Sequence, residues 1–186
     1  MQDPTFVIFT GSMFSGKTSK LLAALDRAKY QNKKIVVFKP KIDNRYAKSD
    51  IVTHTGSRWP AIAISAGHEM IDWVQDANVV AVDEAFMIEG IAECLISLFK
   101  QGKTILVSSI QLSATGKVFE EVRDMMPWAT KIDVCPAVCP ETGKDAYYTI
   151  RKIASLDELA SELEVGGSNV YLPACWEKAQ FIHEEQ

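Results

Sequence analysis

Gly11-Ser12-Met13-Phe14-Ser15-Gly16-Lys17-Thr18 follows the apolar run Phe6-Val7-Ile8-Phe9 and precedes a stretch in which Leu21, Leu22, Ala24, Leu25 and Ala28 recur at helical spacing. The eight residues satisfy G-x-x-x-x-G-K-[ST] at every position, in the strand-then-helix setting that such a loop needs. Its glycines let the main chain turn so that successive N–H groups converge on one concavity, and the positive end of the following helix adds to the field there. That concavity suits a phosphate chain. Gly11, Ser12, Met13, Phe14, Ser15, Gly16, Lys17 and Thr18 are therefore the expected nucleotide cradle. Lys17 is expected at the β- and γ-phosphates, and Thr18 is expected to offer its hydroxyl to Mg²⁺.

Outward from the loop, the apolar spacing predicts a helix from about Lys17 to Gln31, ended by the polar run Asn32-Lys33-Lys34. Ile35-Val36-Val37-Phe38 is a short apolar run rich in β-branched residues, closed by Lys39-Pro40, and reads as a strand buried on both faces. Val79-Val80-Ala81-Val82 is a second and Thr104-Ile105-Leu106-Val107 a third, the latter following a helical segment from about Ile88 to Gln101. Strands alternating with helices predict an α/β fold on a mostly parallel sheet, with ligands at the carboxyl ends of the strands. The loop and the pair Asp83-Glu84 both lie at such ends. Asp83 is placed to hold Mg²⁺ through water opposite Thr18, and Glu84 to take a proton from an acceptor hydroxyl. Asp43 and Arg45 follow the second strand, where a guanidinium could neutralise charge on a transferring group. The same pair would serve equally as a surface ion pair.

Composition narrows the choice of partner. The 186 residues carry 24 acids and 20 Lys and Arg, a formal charge of −4. A long nucleic acid calls for a basic face, whereas a nucleotide can be met by one loop and one metal ion. No apolar run is long enough to span a membrane and the N-terminus lacks the layout of a signal peptide, so the expectation is a cytoplasmic protein away from membranes. The cysteines Cys94, Cys135, Cys139 and Cys175 then read as thiols or metal ligands. His54, His68 and His183 show no metal-ligand spacing among themselves.

From about Lys131 the character changes, and Cys135-Pro136-Ala137-Val138-Cys139-Pro140-Glu141-Thr142-Gly143-Lys144 is dense in turn formers. Ser155 with Glu158 makes a capping box for a short helix through Leu163, which Gly166-Gly167 ends. The expected division is a nucleotide-binding α/β domain over residues 1–134 and a small lobe over residues 135–186.

With these stretches read, the chain resembles the thymidine kinase family of the cellular, zinc-containing, tetrameric type. The resemblance rests on Gly11–Thr18 with its Met-Phe-Ser centre, Lys39-Pro40 before Asp43-Asn44-Arg45-Tyr46, and Asp83-Glu84-Ala85. It continues through Lys117-Val118-Phe119, Tyr148-Thr149-x-Arg151, and Val165-Gly166-Gly167 with Tyr171. It implies a RecA-like P-loop domain with a C-terminal lasso loop, here from about Lys144 to Tyr171. The implied reaction is ATP-dependent phosphorylation of the 5′-hydroxyl of thymidine or deoxyuridine, in deoxynucleotide salvage. By the same resemblance Glu84 is the general base, Asp83 the metal-associated carboxylate, and Asp43 and Arg45 the pair near the phosphates. Lys17 and Arg45 would act with Glu84 in catalysis. Met13, Phe119, Thr149, Val165, Gly166 and Tyr171 fall where relatives meet the nucleoside. A homotetramer and feedback inhibition by the triphosphate product are implied too.

Departures from the family pattern cluster around the base. Phe86-Met87 stands where Gln-Phe is usual, Gln111-Leu112-Ser113-Ala114-Thr115 replaces an aromatic, and Glu162-Leu163-Glu164 puts acids on the lasso flank. The zinc pattern departs furthest. Cys139 and Cys175 match the first member of each cysteine pair, but the second members fall at Thr142 and Lys178. Cys135 and His183 are the substitutes a tetrahedral site could recruit. The expectation is that Cys139 and Cys175 are neighbouring thiols in a lobe without zinc. Two other readings share the phosphate loop: a small RecA-like ATPase working with nucleic acid or a protein partner, and a nucleotide-binding module weakened in catalysis.

Overall fold

The computed structural model describes residues 3–43, 49–53, 55–152 and 170–183. The expected helix from Ser155, most of the lasso, and Asn44, Arg45, Tyr46, His54, Val165 and Gly166 lie outside them.

The core is a six-stranded sheet built from β1 (Phe6–Gly11), β2 (Ile35–Pro40), β5 (Ile62–Ile64), β6 (Val79–Val82), β7 (Thr104–Ser108) and β8 (Lys131–Cys135). The spatial order is β5-β2-β6-β7-β1-β8, and all five neighbouring pairs are parallel. Helix α1 (Lys17–Tyr30) buries Leu21, Leu22, Leu25 and Ala28 against one face, where they meet Phe9, Val37, Val79, Ala81 and Leu106. Helices α2 (Ile91–Lys100) and α3 (Glu120–Met125) cover the other face, over Phe6, Ile8, Phe38, Val80, Val82, Ile105 and Val107. Alternate residues of β6 thus enter opposite cores. That is why its sequence is continuously apolar instead of alternating.

Three details differ from the sequence reading. Strand β2 runs on through Lys39 and Pro40, because these pair with Ala63 and Ile64 of β5, a strand too short to be seen in the sequence. Helix α2 starts at Ile91, since Ala85–Met87 form a 3-10 turn and Ile88 is extended. The sheet gains a sixth strand in β8, whose Ile132 and Val134 are 43% and 45% exposed at the sheet edge.

Outside the sheet, β3 (Asp50–Val52) and β4 (Arg58–Pro60) form an antiparallel hairpin. After β8 come two small antiparallel pairs, β9 (Ala137–Val138) with β10 (Asp145–Ala146), and β11 (Tyr148–Arg151) with β12 (Tyr171–Ala174). A short helix α4 (Gln180–His183) follows. No helix among the described residues is long and apolar enough to cross a membrane.

Candidate functional site

The sheet order puts β7 between the strand that feeds the loop and the strand that ends in Asp83. Neighbouring strands lie about 4.8 Å apart, so the loop and Asp83 are separated by roughly two strand spacings. Thr18 spans the gap. Its hydroxyl donates to Asp83 Oδ1 at 3.1 Å across 65 positions of sequence. The intervening strand contributes Ser108, fully buried, whose hydroxyl donates to the same oxygen at 2.6 Å.

The loop itself is held from several sides. Gly11 has φ of 136°, and a Cβ there would stand 2.1 Å from the Cys135 carbonyl oxygen, so no other residue fits without moving β8. Gly16, at φ 77° in the left-handed region, turns the chain into α1. Lys17 Nζ donates to the Ser12 carbonyl at 2.6 Å and Ser15 Oγ to the same carbonyl at 2.8 Å. From the C-terminal side, Ser12 Oγ donates to the Ala146 carbonyl at 2.9 Å, and Met13 N–H to Thr149 Oγ1 at 3.0 Å. Thr149 therefore fastens β11 to the loop.

A cavity opens over the loop, lined by Met13 to Ser19, Lys39, Asp43, Asp50 to Thr53, Asp83 and Glu84. The expected residues Met13, Lys17, Thr18, Asp43, Asp83 and Glu84 are thus together. Thr149, Tyr171 and Phe119 lie outside that lining. Phe119 instead packs its ring on Phe86, with centroids 4.6 Å apart, and the Phe86 N–H donates to Ser109 Oγ at 3.2 Å. The departure at Phe86, two residues along the chain from Glu84, is therefore answered by an aromatic partner in Phe119. In the run at 111–115, Gln111 Oε1 accepts from Thr10 Oγ1 at 3.1 Å.

Glu84 sits at φ 51° and ψ 46°, left-handed backbone that a glutamate rarely adopts. Such a conformation costs on the order of 1–3 kcal/mol, and folds tend to keep it where geometry at a site demands it. Burial, and after it the neighbouring charge of Glu84, push the Asp83 carboxyl up to about 6, against hydrogen bonds from Ser108 and Thr18 and the charge of Lys17, which pull it down. A buried carboxylate beside two hydroxyls is a hard-oxygen set that fits Mg²⁺.

Sequence reasoning missed three contributors: Ser108, Lys39, and the hairpin residues Asp50 to Thr53. A signal existed for the first two. Ser108-Ser109 and Lys39, like Asp83, are polar residues directly after buried strand runs. The hairpin left none, because β3 and β4 are three residues each.

The donors around Cys139 do not suit zinc. Cys139 and Cys175 pack together with Ala137 and Ala146. Thr142 Oγ1 lies 3.4 Å from Cys175 Sγ, and Lys178 Nζ is paired with Glu141 at 2.6 Å. Burial alone would raise the Cys139 thiol, but the Thr142 hydroxyl and the N–H groups of Cys175, Glu141 and Thr142 outweigh it and hold it down at about 6. The two substitutes are turned to other tasks. Cys135 Sγ meets the Asp133 carbonyl at 3.5 Å, and His183 Nε2 is 3.0 Å from the Trp176 carbonyl. Two thiols, a threonine and a lysine do not make a tetrahedral zinc set.

One solved structure, described as that of a DNA replication initiation factor, is 14% identical, with a TM-score of 0.41 over 72% of this chain and 41% of its own length, a likeness too slight to argue from. The sequence model of the family described as thymidine kinase matches residues 5–178, and with the cradle, the acidic strand end and the parallel sheet already on view, this chain belongs to that family.

Proposed function

We propose that the protein transfers the γ-phosphoryl group of ATP to the 5′-hydroxyl of thymidine or deoxyuridine. The observation that carries this reading is the meeting of Thr18 with Asp83 at 3.1 Å, with Glu84 on the lining of the same cavity. Phosphoryl transfer needs a phosphate grip, a carboxylate and hydroxyl for the divalent ion, and a base beside the acceptor.

In this reading, main-chain N–H groups from Gly11 to Thr18 hold the polyphosphate, and Lys17 leaves the Ser12 carbonyl to meet the β- and γ-oxygens. Thr18 and Asp83 would hold Mg²⁺, which when bound supplies positive charge against the polyphosphate. Glu84, fixed by its left-handed backbone, takes the acceptor's proton. Asp43 lies on the cavity lining, and by family resemblance Asp43 and Arg45 would be the pair near the phosphates, Arg45 lying outside the described residues. The nucleoside would meet Met13, Phe119, Thr149 and Tyr171, with Val165 and Gly166 closing over it from the lasso. A RecA-like domain over residues 1–134, a homotetramer and inhibition by the triphosphate product belong to the same reading by family resemblance, and a lobe over residues 135–186 and a cytoplasmic setting belong to it by the pattern of the sequence.

The test is a panel of deoxynucleosides incubated with ATP and Mg²⁺ and scored for 5′-monophosphate. Thymidine and deoxyuridine should be converted and purine deoxynucleosides should not. Glu84→Gln should keep ATP binding while turnover falls about 10²–10⁴-fold, the usual range for a lost general base. Normal turnover in that variant would remove Glu84 from the role.

A further inference from the structure

Lys39 is a buried ammonium group for which the sequence pattern supplies no role. Only 5% of its surface is exposed, the same as for Lys17. The position follows from register: Phe38 of β2 pairs with Val82 of β6, and the Asp83 N–H donates to the Phe38 carbonyl at 3.0 Å. Lys39 is thereby level with Asp83 on the next strand, at the same carboxyl edge. Its Nζ donates to the Asp50 main-chain carbonyl at 3.3 Å, much as Lys17 donates to the Ser12 carbonyl.

Both ammonium groups belong to the same cavity. Among the described residues lining it, Lys17 and Lys39 are the cations, and they share that lining with Asp43, Asp50, Asp83 and Glu84. Four carboxylates repel a polyphosphate, so one that enters needs each cation the cavity offers as well as a divalent ion. From the cavity lining, the Lys39 ammonium can meet a phosphate oxygen in a charge-assisted hydrogen bond.

We infer that Lys39 is a further phosphate-binding cation, acting on the phosphoryl group in transfer from the β2 side while Lys17 acts from the loop. This rests on the phosphotransferase reading above. As the acceptor oxygen bonds to the γ-phosphorus, the bond from phosphorus to the bridging oxygen breaks, that oxygen leaves with the electron pair as part of ADP, and the acceptor's proton passes to the Glu84 carboxylate. Lys39 keeps its protons throughout. Its charge meets the equatorial oxygens, where negative charge is spread in the transition state.

The rival role is a strut that holds β3 through the Asp50 carbonyl, and Lys39→Gln, which keeps a polar N–H donor but carries no charge, separates the two when thermal unfolding is read beside turnover. The measurements are kcat for nucleoside phosphorylation, affinity for Mg²⁺ with a non-hydrolysable ATP analogue by calorimetry, and thermal unfolding. Lys39→Gln should lose about 10²–10³-fold in kcat, the scale for one electrostatic donor, while analogue affinity falls far less and melting is cooperative near the wild-type temperature. Lys39→Arg should recover at least a tenth of wild-type turnover. Turnover within about threefold of wild type in Lys39→Gln, or equal losses in kcat and analogue affinity, overturns the inference. If the glutamine variant does not melt cooperatively, Lys39→Arg decides alone: a folded arginine variant below a thousandth of wild-type turnover sinks the idea. If the wild-type protein phosphorylates no pyrimidine deoxynucleoside, the functional reading fails separately. Lys39 is then scored on ATP hydrolysis, in which the same group moves to water.

Discussion

The cradle at the sheet edge and the knuckle formed by residues 139–144 and 175–178 are both assembled from stretches far apart in sequence, yet they put charge to opposite uses. In the cradle the charged side chains are buried: Lys17, Lys39 and Asp83 are 5%, 5% and 7% exposed. In the knuckle the thiols are buried, but the ion pairs that cross it, Lys178 with Glu141 and Lys144 with Glu177, are between 40% and 59% exposed. Charge in a low-dielectric site is expensive, directional and ready to act on a ligand. Charge at a wet surface is screened and fastens only weakly. The difference sets the scale of every perturbation that follows.

The largest effect is expected at Gly11. An alanine there meets the Cys135 carbonyl and must hold a φ of 136°. The cost should be roughly 3–5 kcal/mol, a drop of about 10 °C or more in melting temperature. Nucleotide binding should fall with it, since β1 carries the loop. Asp83→Asn comes next and should split stability from binding. The native carboxyl is raised from 3.8 to about 6, so the folded state holds its proton where the unfolded chain has released it, and wild-type stability declines as pH rises through that window. The asparagine variant should therefore match wild type near pH 4 and exceed it by on the order of 3 kcal/mol at pH 7 without ligand. Stabilisation by Mg²⁺ and ATP should disappear. Melting curves across pH, with and without Mg²⁺ and ATP, check both halves; a variant no more stable than wild type at pH 7 would show that the buried charge carries no penalty.

The two regions also differ in how far the sequence disclosed them. Val79–Val82 could be read as a doubly buried strand because every residue is apolar, and that alone placed Asp83 at the carboxyl edge. The loop pattern fixed Lys17 and Thr18. Nothing local disclosed that Ser108 would reach Asp83, since that contact depends on β7 lying between β6 and β1, a matter of strand order rather than of any residue's own propensity. The left-handed backbone of Glu84 was hidden for a related reason: glutamate has no preference for it, and the tertiary fold imposes it. In the C-terminal part, β9 and β10 are two residues each, too short for periodicity to register. There the cysteine spacing was the useful signal, for it brought Cys139 and Cys175 together as buried neighbours.

That spacing gives the knuckle its own test. If Cys139 and Cys175 already stand as half of a tetrahedral set, Thr142→Cys with Lys178→Cys should complete it. The double variant is expected to purify with one zinc per chain and to melt several degrees higher, losing both on treatment with a strong chelator, while wild type is indifferent to the chelator. A double variant that takes up no zinc would show that the two loops approach each other differently from what the Thr142 contact to Cys175 suggests. The smallest effect belongs to the crossed ion pairs. Replacing Glu177 by Gln removes the partner of Lys144 and leaves the Lys178 pair with Glu141 in place. Exposed pairs of this kind contribute little, so melting should move by no more than about 2 °C at low salt, and the gap should close as ionic strength shortens the screening length. A shift that is large and insensitive to salt would mean that this surface is covered in solution, and the knuckle would then resemble the cradle after all.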